Sequence, residues 1–372
     1  MRIPALLLSI LLTACGGADQ SRKPLLDEAM RTEIEQFRLA QRLPGLSVVL
    51  VDADRIESFA TGVRSLGSAE PLQAGDRLEV GSLSKAMTGS LIARLVEQKK
   101  LRWDSTLGEL FPAWRDGMHP QFGSVTIEQL LQHRSGLPYD FAEEDVRALL
   151  PLASGDAAQD RAAAARYFLQ RAPQHAPGSA YLYSNLGYIV LGLVAEAKGG
   201  DAYRNLMARE VFGPLQLAAE VGMPVGAPLA ASGHVFGDAG WRPAHPGPDD
   251  AMWLAMTEAA GGIRVSMHDY GLYLQEQLKG IAGRPAFLAQ ASFERAHALE
   301  AGYAHGWGVA HNPQLGRVSQ HNGSNGSYFS IALVLRDRDR ALAISCNCYS
   351  PQAMAEIEAF AGRLAAASVR SQ

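Results

Sequence analysis

A chain of 372 residues, 47% hydrophobic and 19% charged, carries enough apolar material for one large folded domain or two ordinary ones, which excludes a disordered chain. Its net charge of −4 and its scattered arginines make no basic stripe, so nucleic acid is not expected as a partner. The histidines fall into no metal-ligand spacing, and no metal is expected.

The first residues read as an address. Arg2 precedes a short apolar run, Ile3 to Leu12, too short to span a membrane. Leu12-Thr13-Ala14-Cys15 then resembles a bacterial lipobox, so residues 1–15 read as a lipoprotein signal with Cys15 as the acylated residue. Gly16 after the cysteine points to the periplasmic face of the outer membrane, and residues 16–24 to a tether. The alternative is an ordinary cleaved signal with an incidental cysteine.

Leu25 to Leu43 has helical apolar spacing (Leu26, Met30, Ile34, Phe37, Leu39) and stops at Pro44-Gly45. Leu46 to Asp52 reads as a buried strand with Arg55 to Val63 as its hairpin partner, and a helix is expected from Ser82 to about Gln98. The middle of the chain is dominated by helical patterns and long loops. The clearest helices there are Asn185 to Lys198 and Ser266 to Lys279, the latter capped by Ser266. Strands return at Gly306–Ala310, Val318–Asn322, Tyr328–Arg336 and Ala341–Cys346, and Gln352–Ala366 closes the chain as an amphipathic helix. The expected class is α+β: one antiparallel sheet from 25–98 and 286–372, flanked by terminal helices, with a large, mostly helical domain of 99–285 inserted. Cys346 and Cys348 are taken as two buried small apolar residues, their redox state open.

Three short patterns bear on chemistry. In Gly81-Ser82-Leu83-Ser84-Lys85, a helical turn lets Ser82 and Lys85 touch, and a lysine with a lowered pKa can take a serine proton. A helix cap beside a solvated lysine fits that pattern equally well. In Tyr181-Leu182-Tyr183-Ser184-Asn185, extended backbone would point Tyr183 and Asn185 the same way; a core tyrosine and an N-cap asparagine is the alternative. In His321-Asn322-Gly323-Ser324, Gly323 permits close approach of a substrate backbone and the following N–H can serve an oxyanion hole, although a lone strand-end histidine is commonly a surface residue.

Taken together, Ser82-x-x-Lys85, Tyr183-x-Asn185 and His321-x-Gly323 resemble the serine β-lactamase and D-alanyl-D-alanine peptidase superfamily, in particular the branch of class C β-lactamases, related carboxypeptidases, D-aminopeptidases and β-lactamase-like esterases. Leu130–Pro138, Gly261-Gly262-Ile263 and Gly306-Trp307-Gly308 extend the resemblance over about residues 28–365. It implies a β-lactamase/transpeptidase-like fold and acyl transfer without a cofactor. Ser82 would be the nucleophile, with Lys85 and Tyr183 handling protons. Asn185 would orient Lys85 and the substrate, and the N–H groups of Ser82 and Ser324 would bind the oxyanion. Whether Lys85 or Tyr183 is the base stays open.

The chain departs from class C β-lactamases at the third pattern, where His321 replaces their lysine and the last lysine is Lys279. A histidine there argues against efficient β-lactam hydrolysis and towards a peptidase or esterase, with His321 expected to titrate near pH 6.5. Arg264 or Arg317 is a weaker candidate for binding a substrate carboxylate, while His133 and Trp307 are expected to be structural. The substrate is expected to be a small molecule or peptide carrying an ester or D-amino-acid amide bond. A true β-lactamase and a catalytically idle muropeptide-binding protein are the competing functions.

Overall fold

The computed structural model describes residues 23–370, apart from 225–229, 245–246 and 248–249. Cys15 and the lipobox lie outside the described residues, within which no helix is long and apolar enough to cross a membrane. The chain builds an α+β structure around a seven-stranded antiparallel sheet. In spatial order its strands are Ile56–Gly62, Gly45–Val51, Arg340–Cys346, Phe329–Leu335, Gly316–Ser324, Trp307–Asn312 and Tyr303–Ala304. Strands from both ends of the chain meet where Leu46 pairs with Cys346 and Val51 with Ala341.

The strands Gly45–Val51, Phe329–Leu335 and Arg340–Cys346 are buried along their whole length. This explains their mostly apolar sequence, interrupted only by the buried Ser47, Ser330, Arg340 and Ser345, since successive side chains point to opposite faces and both faces are covered. Leu46, Val48, Leu50, Leu342 and Ile344 pack with Met30, Ile34 and Phe37 of the Glu28–Ala40 helix and Phe360 of the Pro351–Arg370 helix. The rings of Phe37 and Phe360 stack at 4.1 Å. Val49, Val51, Ala341 and Ala343 face the other way, towards Tyr270 and Leu274 of the Met267–Ile281 helix and the interior of the middle region.

Several expectations shift on inspection. The first helix starts at Glu28, capped by Asp27, and Leu39 is 56% exposed, because a residue two places after buried Phe37 falls on the outer side. The middle region holds strands as well as helices. Ile263–Val265 pairs with Leu78–Glu79 on one side and Glu220–Val221 on the other, and Gly233–Gly237 forms a hairpin with Gly240–Ala244. Two- and three-residue strands are too short to show a period of two, so the pattern of the sequence passes over them. Cys346 and Cys348 are not two separate apolar residues: they form a disulfide. The regular strand ends at Cys346, and the buried Asn347 side chain turns to donate to the carbonyls of Val63 and Arg64. The two Cα atoms are thereby 5.1 Å apart, closer than the about 6.6 Å that separates alternate residues of a regular strand.

Two features of this frame create a site. Pairing between Gly316–Ser324 and Trp307–Asn312 stops at Gln320 opposite Gly308, so His321–Ser324 is paired only with Phe329–Ala332. Against that free edge the chain brings the segment Val80–Lys85.

Candidate active site

Val80–Lys85 leaves the short Leu78–Glu79 strand through a tight 3-10 turn, Gly81–Leu83, and only then enters the Ser84–Glu97 helix. The helix therefore begins two residues later than expected, but the helical turn is continuous through Ser82 and Lys85. Two glycines let this turn touch the free strand edge backbone to backbone. A Cβ on Gly323 would lie 2.3 Å from the Val80 carbonyl oxygen and 2.5 Å from the Ser82 nitrogen. A Cβ on Gly81, whose φ is +53°, would lie 2.5 Å from the Ser324 nitrogen. The amide nitrogens of Ser82 and Ser324 are thus drawn together at the point where Ser82 is half-exposed in an otherwise buried segment.

Lys85 is fully buried. Its Nζ donates to Ser82 Oγ at 3.0 Å, Asn185 Oδ1 at 2.7 Å and the Ala260 carbonyl at 2.6 Å. Burial pulls its pKa down to about 7, against a smaller opposing pull from the negative charge of Asp140. The lysine so placed is available as a neutral amine near pH 7, with its longest contact on the Ser82 hydroxyl.

Tyr183 and Asn185 reach the same place because the chain around them is clamped. The N-cap of the Asn185–Gly199 helix is Ser184, whose hydroxyl accepts from the Gly187 N–H, so Asn185 is not the cap and its amide is free for the site. The Leu182 N–H donates to the His133 carbonyl, and the Ser184 N–H donates to His133 Nδ1 at 3.0 Å. The His133 ring lies 4.3 Å from that of Tyr183 and 4.4 Å from that of Tyr303. His133 is therefore a structural clamp. Lys85 Nζ lies 5.0 Å from the Tyr183 ring centroid. Burial holds the Tyr183 phenol well above its usual pKa, and a hydrogen bond with Ser82 offsets this in part. The phenol therefore keeps its proton at neutral pH.

His321 lies beside Tyr183, ring centroids 6.0 Å apart, but borders a different cavity from the one on which Ser82 opens, and differs from expectation in charge and contacts. Its Nε2 meets the Tyr303 hydroxyl at 2.9 Å and its Nδ1 the Asn322 carbonyl at 2.5 Å, so both ring nitrogens are engaged within the protein. Burial, with Lys85 adding to it, lowers its pKa to about 3. An imidazole that does not titrate near pH 6.5 cannot set a pH profile there; Lys85 is the group that titrates near neutrality. The two arginines considered for carboxylate binding are occupied, Arg264 by Glu220 at 3.2 Å and Arg317 by Asp337 at 2.6 Å. Trp307 is buried, its ring stacked at 5.5 Å on that of His297.

Three participants escape the sequence patterns. Asp140 accepts from Asn185 Nδ2 at 2.7 Å, which fixes the amide so that its oxygen faces Lys85. Its only sequence signal is a charge just after the Leu137-Pro138 loop. The Ala260 carbonyl belongs to the Glu258–Gly261 helical turn; Arg161 anchors the chain just before it, donating to the Ala255 carbonyl at 2.9 Å while paired with Glu196. Glu79 takes a hydrogen bond from Asn325, and burial raises its pKa to about 8. Glu79, Ser82, Asp140, Asn185 and Ser324 open on one cleft of about 430 Å³, whose far wall includes Val235, Trp253 and Leu254.

A family profile described as Beta-lactamase matches residues 26–367. Penicillin-binding protein 4 of Amycolatopsis lactamdurans is 26% identical over 86% of this chain and 83% of its own length. An Unguisins hydrolase of Aspergillus violaceofuscus is 27% identical over 55% of this chain, and the match takes in only 36% of that protein. Among solved structures, a Beta-Lactamase/D-Alanine Carboxypeptidase from Pseudomonas syringae superposes with a TM-score of 0.72 at 19% identity, over 91% of this chain and 98% of that one. The octameric penicillin-binding protein homologue from Pyrococcus abyssi superposes at 0.71 with 22% identity, over 90% and 76%. The fold is that of β-lactamases and penicillin-binding proteins.

Proposed function

The chain belongs to the beta-lactamase family, and from that premise we propose that it is a serine hydrolase acting on an ester or a D-amino-acid amide bond through an acyl-enzyme on Ser82. The observation that carries the proposal is the environment of Lys85: a buried amine, its pKa lowered to about 7, in contact with the Ser82 hydroxyl. A neutral amine has two N–H donors and one lone pair. With the donors kept by Asn185 Oδ1 and the Ala260 carbonyl, the shorter contacts, the lone pair faces Ser82 Oγ and accepts its proton.

In the proposed reaction, Ser82 Oγ attacks the substrate carbonyl as its proton passes to Lys85. The negative charge on the carbonyl oxygen is met by the N–H groups of Ser82 and Ser324, pre-positioned by the contact of Gly81 with Gly323. Tyr183, which keeps its proton, donates it to the leaving group and is re-protonated from Lys85. Water then attacks the acyl-enzyme with Lys85 again taking a proton, and as the C–Oγ bond breaks Lys85 returns that proton to Ser82 Oγ, releasing the acid product. Lys85 is the base in this scheme and Tyr183 the acid, since burial pushes their pKa values in opposite directions. A neutral His321 that does not border the cleft supplies no cation for a β-lactam carboxylate, which favours the ester or peptide substrate over the β-lactam.

The test is p-nitrophenyl butyrate hydrolysis by the full chain beside Ser82→Ala, with a fluorophosphonate probe. Stoichiometric labelling of Ser82 and a loss of at least about 10⁴-fold in kcat in the variant are expected. Equal hydrolysis by the two proteins, or no labelling of Ser82, would overturn the proposal.

A further inference from the structure

Asp140 has a position that orienting Asn185 alone does not require. Its Oδ2 accepts from Asn185 Nδ2 at 2.7 Å and its Oδ1 from the Phe141 N–H at 2.9 Å, which holds the carboxylate rigidly on the cleft wall. Each oxygen retains a free lone pair. Asp140 stands three hydrogen bonds from the nucleophile, through Asn185 and Lys85. Among the described residues it forms no ion pair with an arginine, histidine or lysine side chain, and none of these three residue types lines the cleft. The neighbouring acid, Glu79, is a different case: it is engaged by Asn325 and largely protonated at pH 7. Asp250 adds a second carboxylate at the exposed rim.

A half-buried carboxylate that reaches Lys85 only through Asn185 and makes no direct ion pair, beside a nucleophile, favours a ligand that brings its own positive charge. Among the described residues no cation lines the cleft, since His321, Arg264 and Arg317 do not border it and are engaged elsewhere. We infer that Asp140 is the specificity-determining residue of the cleft, and that the acyl part of the substrate carries a protonated amine which Asp140 receives. This rests on the hydrolase proposal and narrows it towards substrates with a free amino group near the scissile carbonyl, and away from those recognised by a terminal carboxylate. The ammonium would donate to the open lone pairs of Asp140 while the carbonyl enters between the N–H groups of Ser82 and Ser324.

The experiment compares D-alanine p-nitroanilide with N-acetyl-D-alanine p-nitroanilide at pH 7, in the full chain and in Asp140→Asn. The acetyl group removes the charge and leaves the scissile bond unchanged. The expected result is a preference in kcat/KM of about tenfold or more for the free amine, carried mostly by KM, as for a charge-assisted contact. Asp140→Asn keeps an acceptor for Asn185 but no charge, and should reduce that preference to within about twofold. A purely structural Asp140 would lower both activities together and keep their ratio, which overturns the inference. So does equal or faster cleavage of the acetylated substrate by the unaltered protein. Cleavage of neither anilide alongside Ser82-dependent hydrolysis of p-nitrophenyl butyrate would overturn the inference and leave the hydrolase proposal standing. Loss of the butyrate activity as well would remove both.

Discussion

The two walls of the cleft are built to different tolerances. On the nucleophile wall, Val80–Lys85 and Gly323–Ser324 run in backbone contact, Lys85 is fully buried with three acceptors, and neighbouring side chains of the helix, from Ala86 to Ile92, are buried with it. On the facing wall, Met223, Val235, Ala244, Trp253, Leu254 and Thr257 are all half-exposed; a two-stranded hairpin carries Val235 and Ala244, and a single six-residue helix carries Trp253 and Leu254. The first wall cannot move an atom without displacing backbone, while the second can change a side chain and keep its fold. In the proposed reaction the chemistry, with the charge selection at Asp140, resides where packing fixes positions, and the fit of the rest of the acyl group where packing leaves room.

The sharpest way to break this comparison is to spoil the backbone contact. Gly323→Ala puts a methyl group 2.3 Å from the Val80 carbonyl oxygen and 2.5 Å from the Ser82 nitrogen. It should lower kcat by about 10²–10³-fold, the cost of disturbing an oxyanion hole, with the protein still folded by circular dichroism. Near-normal kcat in that variant would mean that the two N–H groups do not act together.

The next effect in size is pH. In the proposed reaction Lys85 must be neutral to accept the serine proton, and its pKa is lowered to about 7, so the neutral fraction grows as pH rises through that value. kcat/KM should rise about tenfold per unit below pH 7 and level off above it. His321→Gln should leave the position of that rise unchanged, because His321 is already neutral throughout the range. A rise that disappears in the histidine variant would return the titration to His321.

The smallest effect belongs to the open wall. Trp253→Ala should change KM by no more than about tenfold, and alter the ranking of acyl groups, while kcat moves by less than about threefold. A collapse of kcat there would show that the facing wall takes part in the chemistry, and the contrast between the walls would fail.

Much of this was legible in the residues themselves. Long apolar runs announce the central strands, because a strand covered on both faces needs no alternation, and the three-residue spacing of Ser82 and Lys85 already allows contact on a helical turn. Ser266 as an N-cap is likewise a local matter, decided by one hydroxyl and the amide of Asp269. The misreadings have a common cause in contacts distant along the chain. Asn185 reads equally well as an N-cap until the Ser184 hydroxyl takes that role by accepting from the Gly187 N–H and Asp140 takes the Asn185 amide. His321 reads as a titrating group until Tyr303 and burial suppress its charge.

The sequence by itself determined which residue types are present, their local spacing and the two-faced burial of the sheet, since these follow from backbone periodicity and from the cost of exposing apolar side chains. The tertiary structure alone decided the ionisation of Lys85 and His321, the orientation of Asn185 by Asp140, the Ala260 carbonyl as third acceptor and the bond between Cys346 and Cys348. A pKa depends on how much water and how many dipoles surround a group, and those are supplied by segments remote in the chain; no local pattern encodes them.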